Sequence, residues 1–447
     1  MPVETTPEHA RAEAPKLLNG RPKLSAAFLT VTLALLVRLG LMIATHGINF
    51  GFGEKYTYYF QNETTNISAS IANGYGYVWP FTGLLFGDPK AGPTSWIAPV
   101  YPYFCAAVFR AFGVFSRESF FFIVLVQCFL SALTCIPILK IAEKTVGRRA
   151  GIVAAFVWAL FPWFSQWAIT YIWEITLSAL LVSLLFWYAL RLEKATTWRP
   201  WVGFGALWGF ALLVNPSLGT ILAASLLYLA YYRHRIRLAW LRPALLTVVM
   251  CALVISPWLI RNRVVFGEFA FLRTDFWFEF WNSNYHGSPG RDWVGRHPTG
   301  SDTERAEYLR VGELAYVREK AVPAKKFVRD HPGEFVWLCA KRFVTFWDGS
   351  TMKYFAPAAP WWFSWSFPIF SQLLLPSLIL VCVRRIHAWQ LFAGAILLYP
   401  VPYYITSTQV RYRHAIEPLM LLVMAFALLA SIDFFRGRAR TAGEFES

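Results

Sequence analysis

Apolar residues fall in long blocks along this chain, separated by short polar loops rich in Lys and Arg. As a helix, an apolar run of about 20 residues crosses a hydrocarbon layer of roughly 30 Å. Such runs cover Leu24–His46, Ser119–Ile141, Ala150–Ile169, Glu174–Leu192, Trp201–Val214, Leu218–Tyr232, Leu241–Ile260, Trp362–Val383, Trp389–Ile405 and Ile416–Phe435. They predict an all-α integral membrane protein of about ten transmembrane helices. Asn215-Pro216 separates two of the runs, because proline cannot continue the hydrogen-bond ladder. The stretch Val100–Phe115 is short and carries Arg110, as a tilted or interfacial helix would.

Two segments are long and polar, 47–99 and 261–351. Within the second, Ser301-Asp302-Thr303-Glu304 has the form of a capping box and predicts a charged helix ending near His331-Pro332. Gly333–Phe346 mixes Phe, Val, Trp and Leu with Lys341 and Arg342, the pattern of an interfacial helix. Counting spans places both polar segments on one side. The other side receives Arg21 and Lys23, Lys144 to Arg149, Lys194 and Arg199, the RHRIR run at 233–237, Arg384-Arg385 and the RGRAR run at 436–440. By the positive-inside rule that side is cytoplasmic. The expected organisation is a single membrane domain over 24–436, flanked by cytoplasmic tails 1–23 and 437–447, with the polar segments outside.

Composition supports this class: 56% hydrophobic, 18% aromatic and only 15% charged residues are too apolar for a soluble globular chain of this length. The net charge of +16 does not indicate nucleic acid, because the cations are dispersed over short loops and form no compact basic domain. Six cysteines and eight histidines show no CxxC, Cys/His or HExxH spacing, and five of the cysteines lie inside apolar runs. The first 20 residues lack an apolar core with a cleavage site, so the first span is expected to stay as an anchor.

On the outer side the titratable candidates are Glu54, Glu63, Asp88, Glu174, Asp275 and Glu279, with the cations Lys90, Arg261, Arg263, Arg411 and Arg413. Arginine pairs in ISPWLIRNRVVFG and QVRYRHAIEP sit at outer span ends, where the positive-inside bias disfavours them. Guanidinium groups there suit a phosphate at the membrane surface through bidentate bonds; anchoring to lipid headgroups uses the same cations. Arg38, inside the first span, either snorkels to the interface or is buried against a partner.

Taken in order, ETTNISASIANGYGY, GPTSWIAPVYPY, PWLIRNRVVFGEF, HPGEFVWLCAKRFVTFW and YYITSTQVRYRHAIEP resemble the polyprenyl-phosphate-sugar-dependent glycosyltransferases of the GT-C superfamily. That group includes protein O-mannosyltransferases and the lipid A aminoarabinose transferase; this chain is similar to a bacterial subgroup without a separate soluble domain. The resemblance implies inverting transfer of a sugar from a polyprenyl-phosphate donor to a lipid, glycan or protein acceptor, at the outer face of the cytoplasmic membrane. It also implies a carboxylate in the first external loop ahead of a Gly-x-Gly-aromatic turn. Glu63, ahead of Gly74-Tyr75-Gly76-Tyr77, takes that place, with Glu54 as runner-up. A carboxylate beside an acceptor hydroxyl can take its proton as the oxygen attacks. Capping of the following helix is the structural alternative for Glu63.

In this reading Arg411 and Arg413 hold the donor phosphate, helped by Arg261 or Lys90, with Glu174, Arg38 and Asn262 supporting. Glu174 matches an acidic position that orients an arginine in such enzymes, or else serves as a helix N-terminal charge. Where relatives carry lysine before the proline of the later loop, Ala98 precedes Pro99 here. No cofactor is implied; fixed cations can meet a phosphate leaving group without metal, and a divalent cation stays an alternative. Two other classes remain open: a transporter or flippase of lipid-linked sugars, which needs no base, and a non-catalytic membrane assembly subunit.

Overall fold

The computed structural model describes residues 25–47, 62–78, 80–81, 92–290, 294–349 and 361–445. Of the described residues 79% are helical. Among the described residues no strand forms; an isolated antiparallel bridge joins Val78 to Pro93.

By length and composition, six helices among the described residues can cross a membrane: Ala26–His46, Arg117–Lys144, Ile175–Leu192, Leu241–Phe266, Trp365–Val383 and Val410–Arg436. A seventh arises if Arg148–Leu160 and Pro162–Thr170, bent by 48°, count as one span. The other three of the ten expected runs form shorter helices, Arg199–Val214 of 16 residues, Gly219–Arg235 of 17 and Trp389–Leu398 of 10. Arg199–Val214 and Gly219–Arg235 are separated by a 3₁₀ turn at Pro216–Leu218, where the Asn215 side chain caps Ser217 N. The block after Trp389 stops at Leu398 and resumes over Val401–Ile405, beyond Pro400. Proline supplies no N–H and clashes with the preceding turn, so the apolar pattern continues where the helix does not.

The break at Pro162 explains Arg38. Without an N–H on Pro162, the Trp158 carbonyl loses its helical partner. Arg38 Nη2 donates to that oxygen at 3.1 Å, Nη1 to Ala159 O at 3.3 Å and Ala34 O at 3.1 Å, and Nε to Ser131 Oγ at 2.7 Å. Arg38 is fully buried. The buried, partnered alternative therefore holds, and the side chain repairs a helix break instead of snorkelling.

Small residues set the tightest helix pairing. A Cβ on Gly205 would lie 2.4 Å from Thr247 O, and one on Gly209 would lie 2.6 Å from Val254 Cβ. Helices Arg199–Val214 and Leu241–Phe266 thus meet backbone to backbone at two glycines one turn apart.

The charged helix expected after Ser301 is two. Asp302–Val311 ends at Gly312, whose φ of 80° favours glycine, and Glu313–Asp330 follows. Ser301 Oγ accepts from Glu304 N at 3.3 Å, while the Glu304 carboxylate turns away to Tyr316 and Lys320. The next helix covers Pro332–Asp348. The two polar segments of the sequence meet in space: Thr274 N donates to Ser95 O at 3.1 Å.

Candidate active site

Glu63 opens the helix Glu63–Ala72. The cap is Asn62, whose side chain accepts from Thr65 N at 3.1 Å while Thr65 Oγ1 accepts from Asn62 N at 3.0 Å. Asn62 Nδ2 also donates to Ile172 O at 3.2 Å, tying this helix start to the turn before Glu174. The capping role is therefore filled by the neighbour, and the Glu63 carboxylate points elsewhere. Its Oε1 lies 3.7 Å from His297 Nε2, and the Glu63 side chain is 19% exposed. His297 is boxed by Phe81, Trp96 and Phe278. Glu54, Asp88 and Lys90 lie outside the described residues.

The stretch Thr94–Trp96 is pinned beside this carboxylate. Buried Glu313 accepts from Ser95 N at 2.7 Å, Thr274 Oγ1 at 2.6 Å, Tyr308 Oη at 2.7 Å and the Thr94 hydroxyl. Burial pushes its pKa up, and these donors work in the opposite direction. Arg261 closes the same loop from the other side, Nη1 donating to Thr94 O at 2.7 Å and Nη2 to Tyr77 O at 2.9 Å, above the rings of Tyr77 and Trp258. Asn262 Nδ2 donates to Ser95 Oγ at 3.0 Å and Phe271 O at 2.8 Å. Arg261 and Asn262 thus shape the loop, and their polar atoms are turned to backbone. Arg261, expected at the donor phosphate, is thus turned to these carbonyls, and Asn262 supports the loop.

The electrostatic centre is Arg273. Its guanidinium forms an ion pair with Asp275 and donates from Nε to Trp96 O at 2.9 Å. Burial alone would lower its pKa, but the charges of Asp275, Glu174 and Glu279, with Tyr412, raise it above the ordinary arginine value. The carboxyls answer to the same field. Asp275 is pushed up by burial and by the Glu63 charge, against the pull of Arg273; Glu174 is pushed up by burial, against Arg273 and Arg411. Three carboxylates from two separate chain segments therefore act on one arginine, and Glu63 acts on one of them, Asp275. Glu279 further accepts from Ser407 Oγ at 3.2 Å, which brings in the segment before Arg411.

Arg411 and Arg413 part company. Arg411 stands over Trp173 at 4.9 Å and Tyr412 at 5.3 Å, on the Glu174 side. Arg413 is fully buried: Nε donates to Glu417 Oε1 at 3.1 Å, Nη1 to Ser371 Oγ at 2.5 Å and Phe367 O at 3.2 Å. Glu417 also accepts from Trp163 Nε1 at 2.9 Å and faces His414 Nδ1 at 2.7 Å. The reason is local: Val410–Ile416 is a 3₁₀ helix, in which residues two apart point about 120° from each other. Arg413 ties helices together, while Arg411 points to the Glu174 side.

Arg273 is not among the outer-side candidates of the sequence, although Asp275 and Glu279 beside it are. The available signal was its place in FLRTDFWFEFW, an arginine amid aromatics on the side that the positive-inside bias leaves poor in cations.

Residues 96–260 match the family described as dolichyl-phosphate-mannose-protein mannosyltransferase. No curated protein matches the sequence. Among solved structures, the chain is similar to the archaeal oligosaccharyltransferase AglB from Archaeoglobus fulgidus in complex with an inhibitory peptide and a dolichol-phosphate, at 15% identity and a TM-score of 0.53, covering 93% of this chain and 52% of that one. The Archaeoglobus fulgidus oligosaccharyltransferase complex with Zn and sulfate is matched at 17% identity and a TM-score of 0.52, over 93% and 51%. The chain thus spans about half the length of these structures. These matches bear out the resemblance: the fold is that of the multi-pass GT-C glycosyltransferases.

Proposed function

We propose that this protein is an inverting membrane glycosyltransferase that moves one sugar from a polyprenyl-phosphate carrier to an acceptor hydroxyl or amide. The observation that carries this reading is the convergence of Asp275, Glu174 and Glu279 on Arg273, with Glu63 acting on Asp275 and Arg411 on Glu174. A site that must take a proton from one group while a phosphate departs from another needs a carboxylate and fixed cations within one cavity.

In the reaction the acceptor oxygen or nitrogen bonds to the anomeric carbon as the carbon–oxygen bond to phosphate breaks. The electron pair of that bond leaves on the phosphate, and the acceptor proton passes to Glu63. Glu63 suits the base role because Asn62 has taken over the cap and left its carboxylate partly accessible. Arg273 and Arg411 suit the phosphate role, since both guanidiniums are preorganised by surrounding rings and carboxylates. Arg261 and Arg413 serve as scaffold in this revised assignment. The membrane domain would span 24–436, with the site on the outer face of a bacterial cytoplasmic membrane and the basic loops inside.

The test is transfer in vitro with purified protein and polyprenyl-phosphate sugars, together with mass spectrometry of lipids from a deletion strain. Accumulation of a polyprenyl-phosphate sugar in that strain is expected. A deletion strain with an unchanged lipid profile, together with no turnover of any such donor in vitro, overturns the reading.

A further inference from the structure

At the far end of the helix Ile175–Leu192 lies a second polar site. Glu174 marks the candidate active site at one end of this helix; Arg191, Glu193 and Lys194 mark the other, about 27 Å away for 18 helical residues. A cavity of about 240 Å³ opens there, lined by Lys144, Leu190, Arg191, Glu193, Lys194 and His387.

Its walls are held rigidly. Glu193, 7% exposed, accepts from Tyr228 Oη at 2.7 Å and lies 2.9 Å from His387 Nε2. Arg233 Nη1 donates to the carbonyls of Leu192, Glu193 and Ala195 at 3.0–3.2 Å, closing the helix C-terminus. His387 reaches Glu193 from a turn in which Arg385 and Ala388 take φ of 48° and 59°. Two non-glycine residues in the left-handed region cost energy, and such strain gathers where a side chain must be aimed.

The charge is unbalanced. Lys144, Arg191 and Lys194 face one carboxylate, which Tyr228 and His387 already engage, and among the described residues none of the three forms an ion pair. Lys144 Nζ is steadied on Leu190 O at 3.3 Å and Arg191 over the Trp187 ring at 5.1 Å. Depth identifies the ligand's setting. Exposed Trp198 and Trp240 precede the helices Arg199–Val214 and Leu241–Phe266, and exposed Tyr231 lies in the last turns of Gly219–Arg235, as in an aromatic belt at a membrane interface.

We propose that this cavity binds a phosphate group at the bilayer face opposite the carboxylate and arginine site. Phosphate at this depth comes from an anionic lipid headgroup or from free phosphate, and both present the same oxygens to Lys144, Arg191 and Lys194.

Full-length protein in phosphatidylcholine nanodiscs, with and without phosphatidylglycerol, is examined by native mass spectrometry, and inorganic phosphate is titrated in parallel. The variants are Arg191→Gln with Lys194→Gln, both at exposed positions, and the charge-keeping pair Arg191→Lys with Lys194→Arg. Loss of two cations is expected to weaken binding about 30-fold, while the charge-keeping pair retains it. Retained phosphatidylglycerol with no response to phosphate assigns the site to lipid; the converse assigns it to free phosphate. Wild-type protein that binds neither probe, or a glutamine pair that binds both as wild type does, overturns the proposal. Should the glutamine pair fold poorly, Lys194→Gln alone, at an exposed position, takes its place and is expected to weaken binding about 5-fold; unchanged binding overturns the proposal equally.

Discussion

Glu63 holds a carboxylate oxygen 3.7 Å from Nε2 of His297, although the two lie in the two separate polar segments of the chain. The contact joins the first polar helix to the turn ahead of Asp302–Val311, so the base proposed here is set by the later polar segment as much as by its own loop. Glu63→Gln is expected to lower sugar transfer roughly 100- to 10,000-fold. The melting temperature should stay near that of wild type, because Asn62 supplies the cap. Transfer within tenfold of wild type would remove Glu63 from the mechanism.

Arg411 and Arg413, two residues apart, should respond in opposite ways. Arg413→Met leaves Glu417 buried with His414 and Trp163 and should destabilise the protein by about 3–5 kcal/mol, read as an earlier thermal transition. Arg411→Lys should fold normally and raise KM for the lipid donor, since lysine loses the fork and the stacking on Trp173. Equal thermal loss in both variants would contradict the division of roles.

Glu174 offers a test by pH. Burial raises its folded-state pKa above the ordinary 4.5, so the folded protein holds this proton more tightly than the unfolded chain. The sign follows: the group favours folding while protonated, and that contribution is lost as pH rises from 4.5 through the raised value. Glu174→Gln, which keeps the shape without the charge, should flatten the fall in thermal stability over that interval. A variant curve parallel to wild type would show that Glu174 is not the group responsible.

Gly209 tests the helix pairing. Gly209→Val places side-chain atoms where Val254 Cβ and Cys251 O already stand, at 2.6 and 2.9 Å from a Cβ. A loss of about 1–3 kcal/mol is expected, measured by unfolding in detergent. Gly203→Ala makes a useful contrast, because its clash is with the movable hydroxyl end of Tyr188. Comparable losses at the two positions would count against a rigid backbone contact at Gly209.

What the sequence determined by itself was the solvent. Runs of apolar residues with basic loops between them require helices in a bilayer, since a backbone in hydrocarbon has no other way to satisfy its hydrogen bonds. The order of motifs also pointed to the GT-C fold, and Glu63 stands out as a candidate because its loop pattern is local. Less of the site was legible. How long a helix each apolar run forms was not: Arg199–Val214, Gly219–Arg235 and Trp389–Leu398 have 16, 17 and 10 residues, and apolar composition continues past Leu398 and Pro400 while helical geometry does not. Arg411 and Arg413 looked like one clamp because a string carries spacing without direction, and the 3₁₀ turn separates them. Arg273 was invisible as a centre for the same reason: its importance lies in Glu174, Glu279, Asp275 and Trp96 arriving around it, and charges interact through space with no regard for sequence distance.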